Sequence, residues 1–253
     1  MWTYTTIHLD GDAWPVSTRS ERGETIGSIG LVAFGYLIGA LPFCVALASA
    51  HRLDPTAETD IHVAIRRHVG WIQAAIAVAV DITKGVFPVL LGFGLSLSVR
   101  VVSFAAVAAV VGQMWPPLRG HGEKGDSTGV GALIALLMVN GAYVALLSLA
   151  FFALGAVLRF GMMNSRSPER QSPDHPLSLA LPVGMLLGFA VAPMLSWGSG
   201  QPAGVMIGLL LVLCAIVVKR LTAGLRADLS VGAPMGPVLV RRLVFDQPLI
   251  GRG

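Results

Sequence analysis

Two residues of opposite charge, Asp81 and Lys84, lie inside an otherwise uncharged stretch of the chain. Their spacing of three residues places both on one face of a helix, where they can form an ion pair. Charges within an apolar segment are costly, and they usually face the interior of a helix bundle or a water-filled cavity. The pair is therefore interpreted either as a structural ion pair that fixes one helix to its neighbours or as the polar floor of a binding site.

A glycine-rich segment, 119–128, carries the second group of candidate residues. Glycines let backbone amides approach an anion closely, and the N-terminus of a following helix adds its dipole. The lysine of this segment is followed by glycine, so the segment is not a Walker A loop. It predicts an anion site or, as the alternative, an ordinary glycine-rich turn between two helices. The possible ligands are the amides of Gly122 and Gly125, the ammonium group of Lys124, and the hydroxyl groups of Ser127 and Thr128.

Two further groups of basic residues flank apolar segments. Arg66 and Arg67 precede the segment that contains Lys84, and Lys219 and Arg220 close the last apolar segment. Basic residues at such positions usually set the orientation of a helix and contact lipid phosphates. They could also converge with the glycine-rich segment on one anionic substrate, and the sequence leaves both interpretations open.

The composition defines the environment of these residues. Apolar residues make up 54% of the 253 residues and charged residues 13%, whereas a soluble globular chain carries about 25% charged residues. The mean hydropathy is +0.72, and a helix of about 20 apolar residues crosses a bilayer. A soluble enzyme, a disordered protein and a nucleic-acid-binding domain are excluded, and an all-α polytopic membrane helix bundle is predicted. The uncharged runs are 26–50, 85–99, 101–118, 127–158 and 177–218.

The remaining polar features predict neither a metal nor a cofactor. The two cysteines, Cys44 and Cys214, lie within apolar runs and are interpreted as small buried apolar residues rather than as a disulfide pair. No group of residues has the spacing of a metal site. The formal net charge of +4 matters less than the placement of the charges, so no nucleic-acid partner is predicted.

Seven membrane-spanning helices are predicted, with the N-terminus outside and the C-terminus inside. The run 127–158 would be about 48 Å long as one helix, against a bilayer core of about 30 Å, so a break is placed near Asn140-Gly141. The run 177–218 is divided at Trp197–Pro202. The predicted spans are about 26–50, 70–97, 100–115, 127–140, 141–158, 177–196 and 203–223.

The distribution of basic residues supports this topology. Of the 18 Lys and Arg residues, fourteen fall on the inner side and three on the outer side, with Lys84 inside a span. Basic residues are enriched on the cytoplasmic side of membrane proteins. A single helix over 127–158 would give six spans and a weaker ratio of twelve to five. The chain is therefore divided into a polar N-terminal tail, a membrane domain and a cytoplasmic C-terminal tail, which are 1–25, 26–225 and 226–253.

Three motif-like segments follow one another at the predicted inner ends of the spans. They are Asp81-x-x-Lys84-Gly85-x-x-Pro88, then Gly112-Gln-Met-Trp-Pro116 with Gly122-Glu-Lys-Gly125-x-x-Thr128, and finally Arg220-Leu-x-x-Gly224. Their order and spacing resemble those of the bacterial acyl-phosphate-dependent glycerol-3-phosphate acyltransferases, the PlsY family. The resemblance covers about 30–225, and the central segment is its most specific part.

The chain departs from the family pattern at several polar positions. Gln113 stands where the family has histidine, and Glu123 replaces the second glycine of Gly-Gly-Lys-Gly. Of the family's first motif, which should fall within 56–67, Arg67 is the residue that matches. Several polar groups that orient the acceptor in the family are thus replaced. In the last motif the family's His, Asn and Glu fall on about Cys214, Val217 and Arg226.

The resemblance implies that the 1-hydroxyl of glycerol 3-phosphate attacks the carbonyl of a fatty acyl phosphate. The product would be lysophosphatidic acid, made for phospholipid synthesis at the cytoplasmic face of the cell membrane. The expected partners are these two substrates and the bilayer. The resemblance assigns Lys124 and the Gly122–Gly125 amides to the acyl phosphate, His121 to the role of base or donor, and Arg67, Lys84 and Arg220 to the acceptor phosphate, with Asp81, Ser127 and Thr128 in the same site.

Two other classes of protein stay open. A catalytically inactive or re-purposed relative would bind an anionic lipid or a membrane partner, and the loss of polar motif residues would then carry no cost. A small-solute transporter would place broken helices near the membrane midplane. That class is disfavoured, because the glycine-rich segment lies between two predicted spans.

Overall fold

The computed structural model describes residues 19–54, 61–117, 122–165, 175–230 and 232–246. Helices make up most of these residues, and no strand occurs among them. The expected all-α architecture is therefore confirmed. The helices are α1 (Arg19–Ala40), α2 (Phe43–Ala50), α3 (Ile61–His68), α4 (Trp71–Gly94), α5 (Val99–Met114), α6 (Asp126–Val139), α7 (Leu149–Met163), α8 (Ala180–Gly198), α9 (Ala203–Thr222), α10 (Leu225–Ser230) and α11 (Met235–Phe245), with short 3₁₀ helices at Tyr143–Ser148 and Pro176–Leu179.

Several of these helices are long and apolar enough to cross a membrane. Two more apolar helices, α5 and α6, have 16 and 14 residues and are therefore about 24 and 21 Å long. Every predicted span has an apolar helix as its counterpart among the described residues, and the expected membrane helix bundle is confirmed. The number of crossings and the orientation stay predictions. The five long stretches are Gly23–Ala50, Trp71–Gly94, Tyr143–Met163, Leu177–Gly198 and Ala203–Thr222.

Both predicted breaks within the long apolar runs are present. α6 ends shortly before Gly141, which has φ +67°, and α8 ends shortly before Gly200, which has φ +71°. The first predicted span differs from the structure, because α1 and α2 are separated at Leu41-Pro42. Pro42 has no backbone N–H to continue the helical hydrogen bonds. In addition, α1 already begins at Arg19, within the segment expected to be a polar tail.

The helices α4 and α6 cross closely, and glycines stand at the contact point. A Cβ atom on Gly85 would lie 2.0 Å from the carbonyl oxygen of Thr128, and one on Gly131 would lie 2.0 Å from that of Ile82. Any larger residue at either position would force the helices apart. The crossing brings the α4 turn that contains Asp81 against the start of α6.

The main apolar core lies where five helices meet. It contains fully buried side chains from α4, α5, α6, α8 and α9. Cys44 is buried as expected, but Cys214, which was also expected to be buried, is exposed. Cys214 lies on a face of α9 away from the buried residues Leu209, Val212 and Ile216, so the helix forms as expected while this side chain points outward. Each of these helices contributes one of Val89, Val110, Leu136, Phe189 and Leu209, among other members.

The segment after α9 folds back against the bundle. In α11, Arg242 donates to the carboxylate of Asp228 through Nη2 at 2.6 Å and through Nε at 2.9 Å, and also to the carbonyl oxygen of Ala223. Both charged side chains are buried. This ion pair fixes α11, so that the residue after the helix, Asp246, reaches the glycine-rich segment.

Candidate functional site

Asp81 and Lys84 form the ion pair that their spacing predicts. The ammonium nitrogen of Lys84 lies 2.8 Å from Oδ1 of Asp81, and the two side chains are 5% and 0% exposed. Lys84 also donates to the carbonyl oxygen of Leu41, at the break between α1 and α2, at 2.8 Å. The hydroxyl of Thr128 donates to the backbone carbonyl of Asp81 at 2.8 Å. The pair therefore connects α4 to both the α1–α2 break and the first turn of α6.

Residues 122–125 lead into α6 through a tight turn. Gly122 packs against backbone, because a Cβ atom there would lie 2.0 Å from the carbonyl oxygen of Met114. Gly125, the residue before α6, has φ +78°, a conformation that glycine adopts readily and other residues rarely do. Both predicted glycines are thus required by the path of the chain, and they set the positions of the residues between them.

Lys124 and Arg220 meet at a single carboxylate, that of Asp246. The ammonium nitrogen of Lys124 lies 2.5 Å from Oδ2, and Nε of Arg220 lies 3.9 Å from Oδ1. Arg220 is 4% exposed, and its Nη2 lies 3.3 Å from the carboxylate of Asp126. Its Nη1 donates to the carbonyl oxygen of Pro182 at 2.9 Å. We call the space that the Asp246 carboxylate fills, between Lys124 and Arg220, the anion pocket, since two cations that converge on one oxyanion also suit a phosphate group.

Other basic residues of the predicted set lie elsewhere. Lys219, the neighbour of Arg220 in the sequence, donates to the carbonyl oxygen of Met114 at 2.6 Å and so caps α5. Arg66 donates to Oδ1 of Asn164 at 2.6 Å, and Arg67 lies in the last turn of α3 with an exposed side chain. Of the basic groups that could converge, Lys124 and Arg220 therefore come together at one carboxylate, whereas Lys219 and Arg66 bind other partners.

The remaining predicted residues divide into two groups. Ser127 and Thr128 lie in the first turn of α6, with Ser127 partly buried and Thr128 fully buried. His121, the predicted base or donor, lies outside the described residues, as does Arg119.

A second group of side chains surrounds Asp81. Sγ of Cys44 lies 3.4 Å from Oδ2 of Asp81, and Nε2 of His62 lies 3.2 Å from the same oxygen. Glu123 supplies another carboxylate, and one side-chain atom from each of the four residues lies within 4.8 Å of the others. We call these residues the four-residue cluster. Sequence reasoning selected Asp81 alone for a site, because the four belong to α2, α3, α4 and the turn before α6, and no local spacing links them.

The carboxyl group of Glu123 lies in an unfavourable electrostatic environment. Burial, and next the Asp81 carboxylate, raise the pKa of Glu123 above its ordinary value, while Lys84 and His62 act in the opposite direction. Nε2 of Gln113 donates to Oε2 of Glu123 at 3.0 Å. The cluster thus holds two carboxyl groups in one poorly solvated place, where an added positive charge would stabilise both.

The chain is similar over most of its length to one family of proteins. The family model described as glycerol-3-phosphate acyltransferase matches residues 29–226. A glycerol-3-phosphate acyltransferase of Rubrobacter xylanophilus is 39% identical over 110 residues, which are 42% of this chain and 55% of that protein. One of Legionella pneumophila (strain Corby) is 37% identical over 120 residues, 46% of this chain and 43% of that protein. The chain thus matches about half the length of these curated relatives.

Two solved structures share the fold. Both are crystal structures of PlsY (YgiH), an integral membrane glycerol 3-phosphate acyltransferase. The lysophosphatidic acid form has a TM-score of 0.59 and 21% identity, and the match covers 81% of this chain and 92% of that chain. The glycerol 3-phosphate form has a TM-score of 0.58 and 21% identity, with 81% and 93% covered. At this level of identity the likeness shows the helix arrangement.

Proposed function

Because the chain belongs to the glycerol-3-phosphate acyltransferase family, we propose that it transfers an acyl group from acyl phosphate to the 1-hydroxyl of glycerol 3-phosphate. The product is lysophosphatidic acid, a precursor of phospholipids. The observation that carries this proposal is the anion pocket, where Lys124 and Arg220 converge on one carboxylate. A carboxylate and a phosphate share oxyanion chemistry, so the Asp246 side chain marks a place that a substrate phosphate can take.

The reaction needs positioning and charge stabilisation more than strong acid or base groups. The hydroxyl oxygen of the acceptor forms a bond to the acyl carbon, the bond from that carbon to the phosphate oxygen breaks, and inorganic phosphate leaves. Negative charge develops on the carbonyl oxygen and on the departing phosphate, and a nearby cation stabilises it. Lys124 and Arg220, held to one oxyanion, bind the departing phosphate together, whereas the resemblance had assigned Arg220 to the acceptor.

The proposal also gives roles to residues outside the anion pocket. Arg67 is the candidate ligand of the acceptor phosphate, and His121 is the candidate acceptor of the hydroxyl proton. Lys84 is buried against Asp81 and Leu41, so its role is to position the first turn of α6, which Thr128 ties to Asp81. The proposed location is the cell membrane, with multiple crossings and the anion pocket on the cytoplasmic side, where most basic residues are predicted.

A transfer assay tests the proposal. Protein purified in detergent is incubated with palmitoyl phosphate and radiolabelled glycerol 3-phosphate, and labelled lysophosphatidic acid is separated by thin-layer chromatography. We expect transfer by the wild type, and loss of at least 100-fold in Lys124→Ala, since removal of one charge-stabilising donor commonly costs 10²–10³ in rate. The matched control is Arg226→Ala, which removes a positive charge from an exposed side chain of α10. Equal rates for wild type and Lys124→Ala would remove the anion pocket from the mechanism.

Two departures from the family pattern favour a second candidate function, a family relative that binds an anionic lipid without acyl transfer. Glu123 places a carboxyl group beside Lys124, where the family has glycine, and Gln113 replaces the family's histidine. Protein that retains its helical content and binds phosphatidic acid vesicles, yet transfers no acyl group to glycerol 3-phosphate, would establish this alternative.

A further inference from the structure

The four-residue cluster has the ligand types and spacing of a metal site. We propose that Cys44, His62, Asp81 and Glu123 together bind one divalent transition-metal ion, with Zn²⁺ as the ion that fits best. The motifs that carry the family resemblance include no such site, and the proposal does not depend on acyl transfer. It stands on the convergence of four unlike metal-binding groups from four separate segments of the chain.

The distances within the cluster match a tetrahedral ion. Zn²⁺ binds sulfur, nitrogen and oxygen at about 2.0–2.3 Å, which places neighbouring ligand atoms about 3.3–3.8 Å apart. Sγ of Cys44 lies 3.4 Å from Oδ2 of Asp81, and Nε2 of His62 lies 3.2 Å from it. No separation among the four ligand atoms exceeds 4.8 Å. Any separation larger than about 3.8 Å must shorten to that value when a tetrahedral ion binds.

The charges of the cluster also favour a divalent cation. A thiolate and two carboxylates carry three negative charges, His62 binds as a neutral imidazole, and Lys84 adds one positive charge at 2.8 Å from Asp81. An ion of charge +2 makes this group electrically neutral. Binding releases the thiol proton of Cys44 to solvent, and no oxidation or reduction takes place. The mixture of one soft sulfur, one imidazole and two oxygens selects zinc over calcium or magnesium, which bind oxygen ligands.

The carboxylate ligands already have the outer partners that metal sites commonly show. Lys84 orients Asp81, and the amide of Gln113 donates to Oε2 of Glu123 at 3.0 Å. Such outer contacts fix the direction of a ligand and raise metal affinity. Cys44 and Asp81 are fully buried, while His62 is 23% exposed. The histidine side of the cluster therefore provides the entry path for an ion.

Cobalt titration tests the proposal with a signal that is separate from catalysis. Co²⁺ replaces Zn²⁺ in such sites, and its bond to a cysteine thiolate gives an intense near-ultraviolet charge-transfer absorption. We expect wild-type protein in detergent, first freed of metal by a chelator, to develop this absorption with one Co²⁺ per chain. Added Zn²⁺ should abolish it, and elemental analysis of chelator-free preparations should find one zinc per chain.

Matched variants assign the ligands. Cys44→Ala should lose the charge-transfer absorption completely, whereas Cys214→Ala, which changes the exposed cysteine of α9, should retain it. His62→Gln should weaken Co²⁺ binding at least tenfold, and His51→Gln, which changes an exposed histidine after α2, should leave it unchanged. Circular dichroism and gel filtration show whether each variant is folded.

The outcomes separate this proposal from the proposed function. Absence of the absorption in folded wild-type protein, or its persistence in Cys44→Ala, would overturn the metal site whether or not acyl transfer is measured. Binding of Co²⁺ by protein that shows no acyl transfer would uphold the metal site and reject the enzyme assignment. The metal-binding experiment and the acyl-transfer assay can therefore fail independently of each other.

Discussion

Asp246→Asn is expected to improve the use of acyl phosphate, because the Asp246 carboxylate occupies the anion pocket. The substitution keeps the shape of the side chain and removes its negative charge. In the wild type, a substrate phosphate must displace this carboxylate from Lys124, which lies 2.5 Å away, and from Arg220, which lies 3.9 Å away. Without the charge, Lys124 is available to the substrate from the start, and Arg220 keeps Asp126 as its partner.

The size of the effect follows from the exposure of the ion pair. The Lys124 and Asp246 side chains are 31% and 11% exposed, so the pair lies between a surface pair, worth about 0.2–1 kcal/mol, and a buried pair. A contribution of about 0.5–1.4 kcal/mol corresponds to a roughly two- to tenfold lower KM for acyl phosphate. Added salt should reduce the difference in KM between wild type and variant, because the Lys124 side chain is accessible to solvent and its ion pair is therefore screened.

Initial rates in the transfer assay, measured over a range of palmitoyl phosphate concentrations at low and high salt, give this KM. Inhibition by inorganic phosphate supplies an independent measure, and its inhibition constant should fall by the same factor. Asp54→Asn, which removes a carboxylate from an exposed side chain after α2, is the matched control. A KM in Asp246→Asn that equals or exceeds the wild-type value, with inhibition by phosphate unchanged, would refute the assignment of the pocket.

Three further substitutions probe the support of the site. Gly85→Ala puts a Cβ atom 2.0 Å from a carbonyl oxygen of α6 and should lower the free energy of unfolding by about 1–3 kcal/mol, measured by thermal unfolding in detergent. Gly94→Ala, whose Cβ atom meets nothing within 4 Å, should cause no such loss, and equal losses would contradict the close crossing. Lys84→Met removes the ammonium partner of the buried Asp81 carboxylate and should cost about 3–5 kcal/mol, most of it recovered when Asp81→Asn is added. Strictly additive losses would argue against the ion pair. Gln113→Ala should weaken Co²⁺ binding about 10–100-fold, and an unchanged titration would show that the amide does not orient its ligand.

The sequence predicted correctly those features that are determined by residues close together in the chain. Run length and glycine placement predict the breaks near Gly141 and Gly200, because helix length is limited by bilayer thickness and glycine adopts positive φ at low cost. The spacing of Asp81 and Lys84 predicts their pairing, because residues three apart on a helix are neighbours. Each of these inferences depends on residues close together in the chain.

Side-chain direction was the first property that the sequence left open. Lys219 and Arg220 are adjacent, so about 100° of helix rotation separates them. Arg220 therefore reaches the anion pocket, while Lys219 caps the end of α5 at the carbonyl oxygen of Met114. The same uncertainty explains Cys214, whose apolar surroundings in the sequence suggested burial although its side chain is exposed. Without the packing of α9 against its neighbours, neither direction could be chosen.

Contacts between residues far apart in the chain were the second property that the sequence left open. Asp246 follows a helix whose position depends on the buried pair of Arg242 and Asp228, and nothing in the sequence near Lys124 indicates that this carboxylate will reach it. The four-residue cluster has the same origin, since Cys44 and His62 meet Asp81 only after α2, α3 and α4 have packed. Asp246 lies in the segment expected to be a tail, and Cys44 in a run expected to pack as an apolar span.

The turn before α6 links the anion pocket to the four-residue cluster. Neighbouring residues of this turn face different groups, Glu123 toward Asp81 and Lys124 toward Asp246. The carboxyl group of Glu123, the residue before Lys124 in the chain, and that of Asp81 oppose the approach of a phosphate, and burial makes that opposition stronger. A divalent cation held by Glu123 and Asp81 offsets their negative charge and leaves Lys124 and Arg220 to bind the phosphate. The proposed metal thereby accounts for a carboxylate at a position where the related family has glycine, which the acyl-transfer mechanism alone does not explain.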